Sequence, residues 1–279
     1  MDSLTSHRQW YARLVTANAG VSATDDRLLR AFASTPREKF LGPGPWRVFT
    51  RSGYIETPSG DPAQIYQDVV VALKSEAQLN NGQPSLHAAC LAALDVKDGE
   101  TVVHVGAGTG YYTAILASLV GVTGRILAYE IDGDLAALAR SNLAAHSNVE
   151  VRHRSGSEGQ LPACDAMYVN AGATAPLATW LDALRPGGRL MFPLTPTQGA
   201  GFILLVRRAG ESSYSAQFVC GTLFTPCIGA RDDETGQRLS AAFAGGGMAT
   251  VRSLHRNSAP DASSWFAGRD WWLSTSVVE

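Results

Sequence analysis

Three glycines with G-x-G-x-G spacing follow a short apolar run near the middle of the chain. The run covers residues 102–105, and the glycines are Gly106, Gly108 and Gly110. Glycine lets a chain turn sharply and lets a ligand approach the bare backbone, and the first N–H groups of a helix can meet a polar ligand. The pattern therefore predicts a buried strand, a tight turn that binds a ligand, and a helix that begins at the turn.

An acidic residue ends the next apolar run after the glycine motif. Glu130 stands twenty positions after Gly110 and closes the run 125–129. At the tip of a neighbouring strand, its carboxylate can accept hydrogen bonds from both hydroxyls of a ribose. We therefore expect a nucleoside site. Dinucleotide-binding folds use G-x-G-x-x-G, so the spacing found here disfavours an NAD-linked oxidoreductase.

The elements that must position these residues alternate between strands and helices. This alternation predicts an α/β fold with a doubly wound, mostly parallel sheet. Two later apolar runs have no room for a helix between them and predict an antiparallel strand pair at the end of the sheet. The predicted strands are 101–105, 125–130, 149–153, 165–169, 189–194, 201–208 and 215–224, with helices at 110–120, 133–145 and 176–184.

The chain divides into three predicted regions. Residues 1–80 form a helical and irregular cap, in which Asp25 and Asp26 can cap a second helix. Residues 81–224 form the ligand-binding domain. Residues 225–279 form an extension packed on the core, with a helix at 239–243, a strand at 248–255 and an aromatic stretch at 265–273. Residues 185–188, Arg-Pro-Gly-Gly, predict a turn before the fifth strand.

Composition restricts the class of protein. The 279 residues are 45% hydrophobic with a net charge of −2, which suits a globular core and predicts neither nucleic-acid nor membrane partners. No apolar run approaches the ~20 residues of a membrane span, and the first ten residues lack the apolar core of a signal peptide. The four cysteines form no C-x-x-C pair, so we expect buried free thiols, no metal site and a cytoplasmic protein.

Four segments resemble the protein-L-isoaspartate O-methyltransferase family of class I methyltransferases, over about residues 28–194. They are P-R-E-K-F at 36–40, G-Q-P-S-L-H-A at 82–88, the glycine motif with its helix at 106–114, and G-G-R-L-M-F-P at 187–193. The resemblance implies a Rossmann-like fold that binds S-adenosylmethionine. It also implies transfer of the methyl group to a carboxylate of a peptide or protein.

The resemblance and the strand ends together give a set of candidate site residues. His87 and Asn170 are candidate catalytic residues as well as cofactor contacts. A carboxylate acceptor is already ionised at neutral pH, and an amine or phenol would want a base, for which His87 is the first candidate. The candidate cofactor-binding residues are Gln83, Ser85, His87, His104, Gly106, Ala107, Gly108, Thr109, Gly110, Glu130, Ile131, Ser155, Gly156 and Asn170.

A purely structural role is also open for three of these residues. His87 could pack under the sheet, and His104 could be a histidine at the edge of the core held by a backbone carbonyl. Asn170 could simply turn the chain after its strand. The motifs also depart from the family pattern. Gly82 stands where the family has a serine near the transferred methyl group, and His104 stands where most class I enzymes have an acid. Ser155 replaces the acid that reaches the adenine amino group.

Three functions remain open after these departures. The first is methylation of a peptide or protein carboxylate, where Gly82 and the segment 225–279 favour an acceptor other than isoaspartyl sites, such as a modified peptide. The second is methylation of a small molecule in specialised metabolism. The third is a binding module that keeps the nucleoside site and catalyses no reaction.

Overall fold

This computed structural model of the chain describes residues 3–21, 26–74 and 79–278. Asp25, one of the two predicted helix caps, lies outside these residues. The chain forms two units. The first comprises Met1–Gly99 and Ala107–Arg154, and the second comprises Glu100–Gly106 and Ser155–Glu279. The three-region division made from the sequence stays a prediction.

Strands and helices alternate through the middle of the chain, as the apolar pattern predicts. In chain order the α-helices of the described residues are α1 Ser3–Asn18, α2 Asp26–Ser34, α3 Glu38–Leu41, α4 Pro84–Leu94, α5 Tyr111–Val120, α6 Gly133–Asn142, α7 Ala178–Ala183 and α8 Asp233–Gly245. The strands are β1 Arg47–Thr50, β2 Gly53–Glu56, β3 Ala72–Lys74, β4 Leu79–Asn80, β5 Thr101–Val105, β6 Arg125–Glu130, β7 Val149–His153, β8 Cys164–Val169, β9 Leu184–Leu194, β10 Gly201–Arg208, β11 Ser213–Thr222, β12 Ser253–Arg256, β13 Ser264–Ala267 and β14 Trp271–Ser274.

In the first unit, helices pack on one another and on the parallel pair β6–β7. Helix α5 is buried along nearly its whole length, so its sequence is apolar on every face rather than amphipathic. Helix α6 begins after Asp132, whose side chain accepts hydrogen bonds from the N–H groups of Asp134 and Leu135 at 3.0 Å. This N-cap stabilises the helix end next to the tip of β6.

A buried arginine organises the segment before α4. The Arg37 guanidinium donates to the carbonyl oxygens of Ile65, Gln67 and Val69 at 2.6, 2.9 and 2.6 Å, and to the side-chain oxygen of Asn81 at 3.0 Å. A buried charge is tolerated only where hydrogen bonds replace its hydration. The arginine of the P-R-E motif thus fixes the path of a loop that is distant from it in the chain.

In the second unit the strand order is β13-β14-β12-β11-β10-β9-β8-β5. Strands β5, β8 and β9 are parallel, and every later pairing is antiparallel. The predicted antiparallel pair, β10–β11, is present and continues into three further strands. The turn predicted at residues 185–188 lies inside β9, where the pairing with β8 shifts register between Cys164 and Ala166. The sequence signal marks this irregularity rather than a strand start.

The C-terminal residues complete the second unit. The helix predicted at 239–243 is the longer α8, whereas the strand predicted at 248–255 is wrong in its first half, where Met248–Thr250 is a 3-10 helix. The aromatic stretch supplies β13 and β14, and Trp271, Trp272 and Leu273 are buried. No helix of the described residues has the length and apolarity that crossing a membrane requires.

Candidate active site

The glycine loop is a tight backbone turn at the start of α5. The N–H of Ala107 donates to the carbonyl of Tyr129 at 3.1 Å, and that of Gly110 donates to the carbonyl of Ala107 at 3.0 Å. Gly110 has φ +95°, and a Cβ there would lie 2.7 Å from Leu143 Cδ1. A side chain at Gly110 would therefore be strained and would clash, which explains the residue type.

Glu130 lies at the tip of β6, as predicted, and its carboxylate is tied to the loop. Its Oε2 accepts from the N–H of Gly108 at 2.7 Å, and its Oε1 accepts from the N–H of Asp132 at 2.9 Å. Burial raises the pKa of this carboxyl, and the backbone N–H donors oppose the rise. Each carboxylate oxygen has a second lone pair, so the group can still accept from the hydroxyls of a ribose.

Lys74 is a contact of this site that sequence reasoning missed. Its Nζ donates to both carboxylate oxygens of Asp132 and to Asp134, each at 2.7 Å, and this contact is the largest cause of a lowered pKa at Asp132. The neighbouring Leu73 Cδ1 lies 3.4 Å from where a Cβ at Gly108 would be. Strand β3 therefore has its Leu73 side chain next to Gly108 of the glycine loop and is held to the N-terminus of α6 by Lys74.

Gln83 and Ser85 lie at the start of α4, with Pro84 in the first turn. Asp68 accepts from the N–H of Ser85 at 2.9 Å and from the side chain of Gln83 at 3.4 Å. An N–H group that the helix leaves unpaired is thus met by an acid from another segment. No pattern around Asp68 in the sequence signals this contact.

His87 fills the space next to Gly82. The imidazole stacks on the ring of Tyr112 with centroids 3.6 Å apart and an angle of 10° between planes. Gly82 has φ +69°, and a Cβ there would lie 2.1 Å from His87 Nε2. A side chain at position 82 would therefore have to displace the imidazole of His87, a residue that is only 2% exposed, so the position of the ring favours glycine.

In the second unit, His104 and Asn170 form a pair. His104 is fully buried, and burial lowers its pKa to about 3. Its Nε2 lies 2.8 Å from Asn170 Nδ2. Because an amide nitrogen only donates, the imidazole is the acceptor and is neutral. A Cβ at Gly106 would lie 3.3–3.5 Å from Asn170 atoms, so Asn170 packs against the first glycine of the motif.

The remaining candidates have mostly structural contacts in the described residues. Ser155 Oγ lies 2.7 Å from Ser157 Oγ, and Gly156 accepts from Trp180 Nε1 at 2.8 Å. The Thr109 carbonyl accepts from Asn142 at 2.9 Å. Ile131 is 45% exposed beside Glu130. Cys90, Cys164 and Cys227 are buried and Cys220 is half-buried, and none of these four described cysteines forms a disulfide.

The residues of the first unit suit the nucleoside part of a cofactor. They combine a bare backbone turn with a buried carboxylate that retains acceptor capacity. In the second unit, Asn170 Oδ1 is buried with no hydrogen-bond partner among the described residues. Such an atom is costly unless a ligand or water meets it. The first observation fits a ligand with hydroxyl donors, and the second observation, taken by itself, fits a ligand with an N–H donor.

Comparison with solved structures defines the class of the fold. A protein-L-isoaspartate O-methyltransferase structure superimposes with a TM-score of 0.66 at 23% identity, over 85% of this chain and 69% of that chain. One from Plasmodium falciparum, in complex with S-adenosyl-L-homocysteine, gives a TM-score of 0.63 at 17% identity, over 80% of this chain and 98% of that chain. The predicted class I methyltransferase fold is confirmed.

Sequence comparison identifies the family. The family model "Protein-L-isoaspartate(D-aspartate) O-methyltransferase (PCMT)" matches residues 14–232. A protein-L-isoaspartate O-methyltransferase of Halorhodospira halophila is 33% identical over 227 residues, which is 78% of this chain and 91% of that protein. The chain belongs to the protein-L-isoaspartate O-methyltransferase family. It is a transferase that uses S-adenosylmethionine, as the sequence predicted.

Proposed function

We propose that the methyl acceptor is the free carboxylate of a peptide or protein, with isoaspartyl residues as the first acceptor to test. The family membership over residues 14–232 carries this proposal. When bound, S-adenosylmethionine supplies a methyl group on a sulfonium. A carboxylate is ionised at neutral pH, so the protein needs to hold and orient the two reactants and exclude water rather than remove a proton.

In this proposal the residues around the glycine loop bind the cofactor. Glu130 accepts from the ribose hydroxyls, and the backbone of Ala107, Gly108, Thr109 and Gly110 lies against the same part of the molecule. Gln83 and Ser85, at the start of α4, and Ile131 are further contacts. His87, Gly156 and Ser155 are binding candidates whose contacts described above also serve packing.

A methyl-transfer assay tests the acceptor. Two peptides of one sequence, one with an aspartyl and one with an isoaspartyl residue, are incubated with methyl-labelled cofactor. We expect base-labile label on the isoaspartyl peptide only. Label on neither peptide, with transfer to a modified-peptide or small-molecule library, would reject the isoaspartyl acceptor. Cofactor binding with no labelled product in any extract would instead indicate a binding module.

Gly82 gives a specific reason to include a modified-peptide library. The His87 ring occupies the space that a side chain at position 82 would need, so the surroundings of the transferred methyl group differ from the family pattern that the sequence resembles. We also propose that the enzyme works in the cytoplasm, and the absence of a disulfide among its four described cysteines supports this. Fractionation of cells that express the chain would test this location.

Replacing Glu130 tests the cofactor site separately. We expect Glu130→Ala to weaken S-adenosylhomocysteine binding at least about tenfold, because charge-assisted hydrogen bonds to the ribose are lost. Titration calorimetry measures this. Glu150→Ala is the matched control, since this exposed acid of β7 pairs with Arg125 and Arg152 and lies opposite Leu127 rather than opposite Glu130. Equal affinities of the two variants would contradict the assignment.

The raised pKa of Glu130 gives the same site a pH dependence. Because burial raises this pKa, the carboxylate takes up a proton at a higher pH than an ordinary glutamate, and the protonated form offers fewer acceptor positions to the ribose. As the pH is lowered, cofactor affinity should therefore begin to fall at pH values above the range in which an ordinary glutamate titrates. Calorimetry across pH on the wild type and Glu130→Gln tests this, since the amide does not titrate.

A further inference from the structure

One buried acceptor at the tip of β8, Asn170 Oδ1, has no hydrogen-bond partner among the described residues, and its role toward a ligand rests on the proposed function. Asn170 follows the last residue of β8, and its N–H donates to the carbonyl of Val105 at 2.8 Å. Ligands of open α/β sheets bind at the carboxyl ends of the parallel strands. Asn170 thus stands where a ligand is expected, with its backbone fixed to the end of β5.

The buried imidazole of His104 sets the orientation of the Asn170 amide by a hydrogen bond. The imidazole is held inside the unit, with its ring centroid 5.5 Å from that of Tyr168 and an angle of 18° between planes. Its Nε2 accepts from Asn170 Nδ2 at 2.8 Å. With the amide nitrogen engaged in this way, Asn170 Oδ1 is the atom left to meet a ligand.

We propose that His104 is a positioning residue that fixes the Asn170 amide, and that Asn170 Oδ1 accepts a hydrogen bond from an N–H donor of a bound ligand. The oxygen is buried and has no hydrogen-bond partner among the described residues, so it is an acceptor that a donor group of a ligand can meet. Because His104 is neutral and Asn170 Oδ1 only accepts, the pair suits a ligand group that donates a hydrogen bond. It disfavours a carboxylate, whose oxygens only accept.

Two ligands could supply the N–H group. One is the ammonium of the amino-acid end of S-adenosylmethionine, and the other is a backbone amide of the acceptor peptide. The two sources differ in the assay that would report them. Loss of the first lowers cofactor affinity, and loss of the second raises KM for the peptide while leaving cofactor affinity unchanged.

The test combines Asn170→Leu with two nucleoside ligands. 5′-Methylthioadenosine lacks the amino-acid group of S-adenosylhomocysteine. If the ammonium is the donor, calorimetry shows at least about a tenfold loss of affinity for S-adenosylhomocysteine and less than about a twofold loss for 5′-methylthioadenosine. If the peptide is the donor, both affinities stay unchanged and KM for the isoaspartyl peptide rises about tenfold. Unchanged affinities together with an unchanged KM overturn the proposal, as does an equal loss for both nucleosides.

A double-mutant cycle separates positioning from packing. If His104 acts through Asn170, His104→Leu weakens the same ligand in the wild type but has no further effect in Asn170→Leu. His104→Gln, which keeps a side-chain acceptor, retains most of the affinity. Additive losses would assign His104 a structural role only. Thermal melting checks that each variant folds. If the Asn170→Leu variant does not fold, Asn170→Ala takes its place.

These experiments test the isoaspartyl acceptor and the Asn170–ligand contact separately. If the wild type methylates no isoaspartyl peptide yet the two nucleosides respond differently to Asn170→Leu, the acceptor is wrong and the Asn170 contact stands. If the peptide is methylated and Asn170→Leu changes neither cofactor affinity nor KM, the acceptor is right and the Asn170 contact is wrong.

Discussion

A histidine held neutral inside the protein makes stability depend on pH at the scale of one residue. The pKa of His104 is lowered by burial to about 3 from an ordinary value of 6.5. Between these values the unfolded chain binds a proton that the folded chain does not, so the free energy of unfolding falls as pH falls. The stabilisation is complete above pH 6.5 and is lost progressively towards pH 3.

We therefore predict that His104→Gln removes part of the acid sensitivity. From about pH 7 to about pH 5, the wild type should lose about 2 kcal/mol more stability than the variant. Urea unfolding at the two pH values measures the difference, and the comparison at neutral pH gives the effect of the substitution on packing. Parallel losses in both proteins would contradict a buried neutral His104.

Gly82 and His87 give a second prediction for single residues. Gly82→Ser should destabilise the protein by more than the ~1–2 kcal/mol of a left-handed backbone, because its Cβ would lie 2.1 Å from His87 Nε2. Gly187→Ser is the matched control, since Gly187 has φ +76° and nothing within 4 Å of its Cβ position. Thermal unfolding compares them.

The double variant Gly82→Ser, His87→Ala completes this test. It removes the clash while keeping the backbone strain, so part of the lost stability should return relative to Gly82→Ser. A double variant that is less stable than both single variants would show that the two positions do not compete for the same space.

At the scale of elements, β3 is attached to the N-terminus of α6 by one lysine. Lys74→Met should release β3 from the glycine loop and leave the charge of Asp132 uncompensated, which raises the pKa of Glu130 further. We expect cofactor dissociation to become about two- to fivefold faster, the range of a solvated ion pair. Stopped-flow measurements with Lys97→Met as control test this, because the Lys97–Asp95 pair is exposed. Equal rates would argue against an attachment by Lys74.

The elements also show what the sequence could predict. Glu130 was predictable because the strand that carries it and the glycine motif lie close together in the chain, and their order follows from the alternation of strands and helices. Lys74 was not, since 58 residues separate it from Asp132 and no pattern around residue 74 marks the contact. The same holds for Asp68 at the start of α4. Local periodicity predicts strands, and it carries no information on which distant side chains meet.

At the scale of the whole molecule, the family match ends at residue 232 but the fold does not. Strand β12 pairs with β11, and β14 pairs with β12, so removal of residues 233–279 would uncover the edge of β11 and the buried surface beneath it. We expect the shortened chain to aggregate, which gel filtration would show. A monodisperse, folded 1–232 fragment would contradict this.

A point substitution tests the same contribution without truncation. Leu273→Ala should cost about 2–5 kcal/mol of unfolding free energy, because Leu273 is fully buried in β14. Val277→Ala, at a residue that is 71% exposed, should change stability by less than about 0.5 kcal/mol. Denaturant unfolding compares the two. A small effect of Leu273→Ala would mean that the C-terminal strands contribute little to stability.

The carbonyl contacts of Arg37 bear on how sequences of this family diverge. The guanidinium binds main-chain oxygens of residues 65, 67 and 69, so it constrains the course of that loop and not the side chains along it. Substitutions within the loop are then tolerated while its length is not. In an alignment of relatives, changes of side chain at 65–69 should leave the arginine in place. Insertions and deletions at 65–69 should coincide with loss of the arginine.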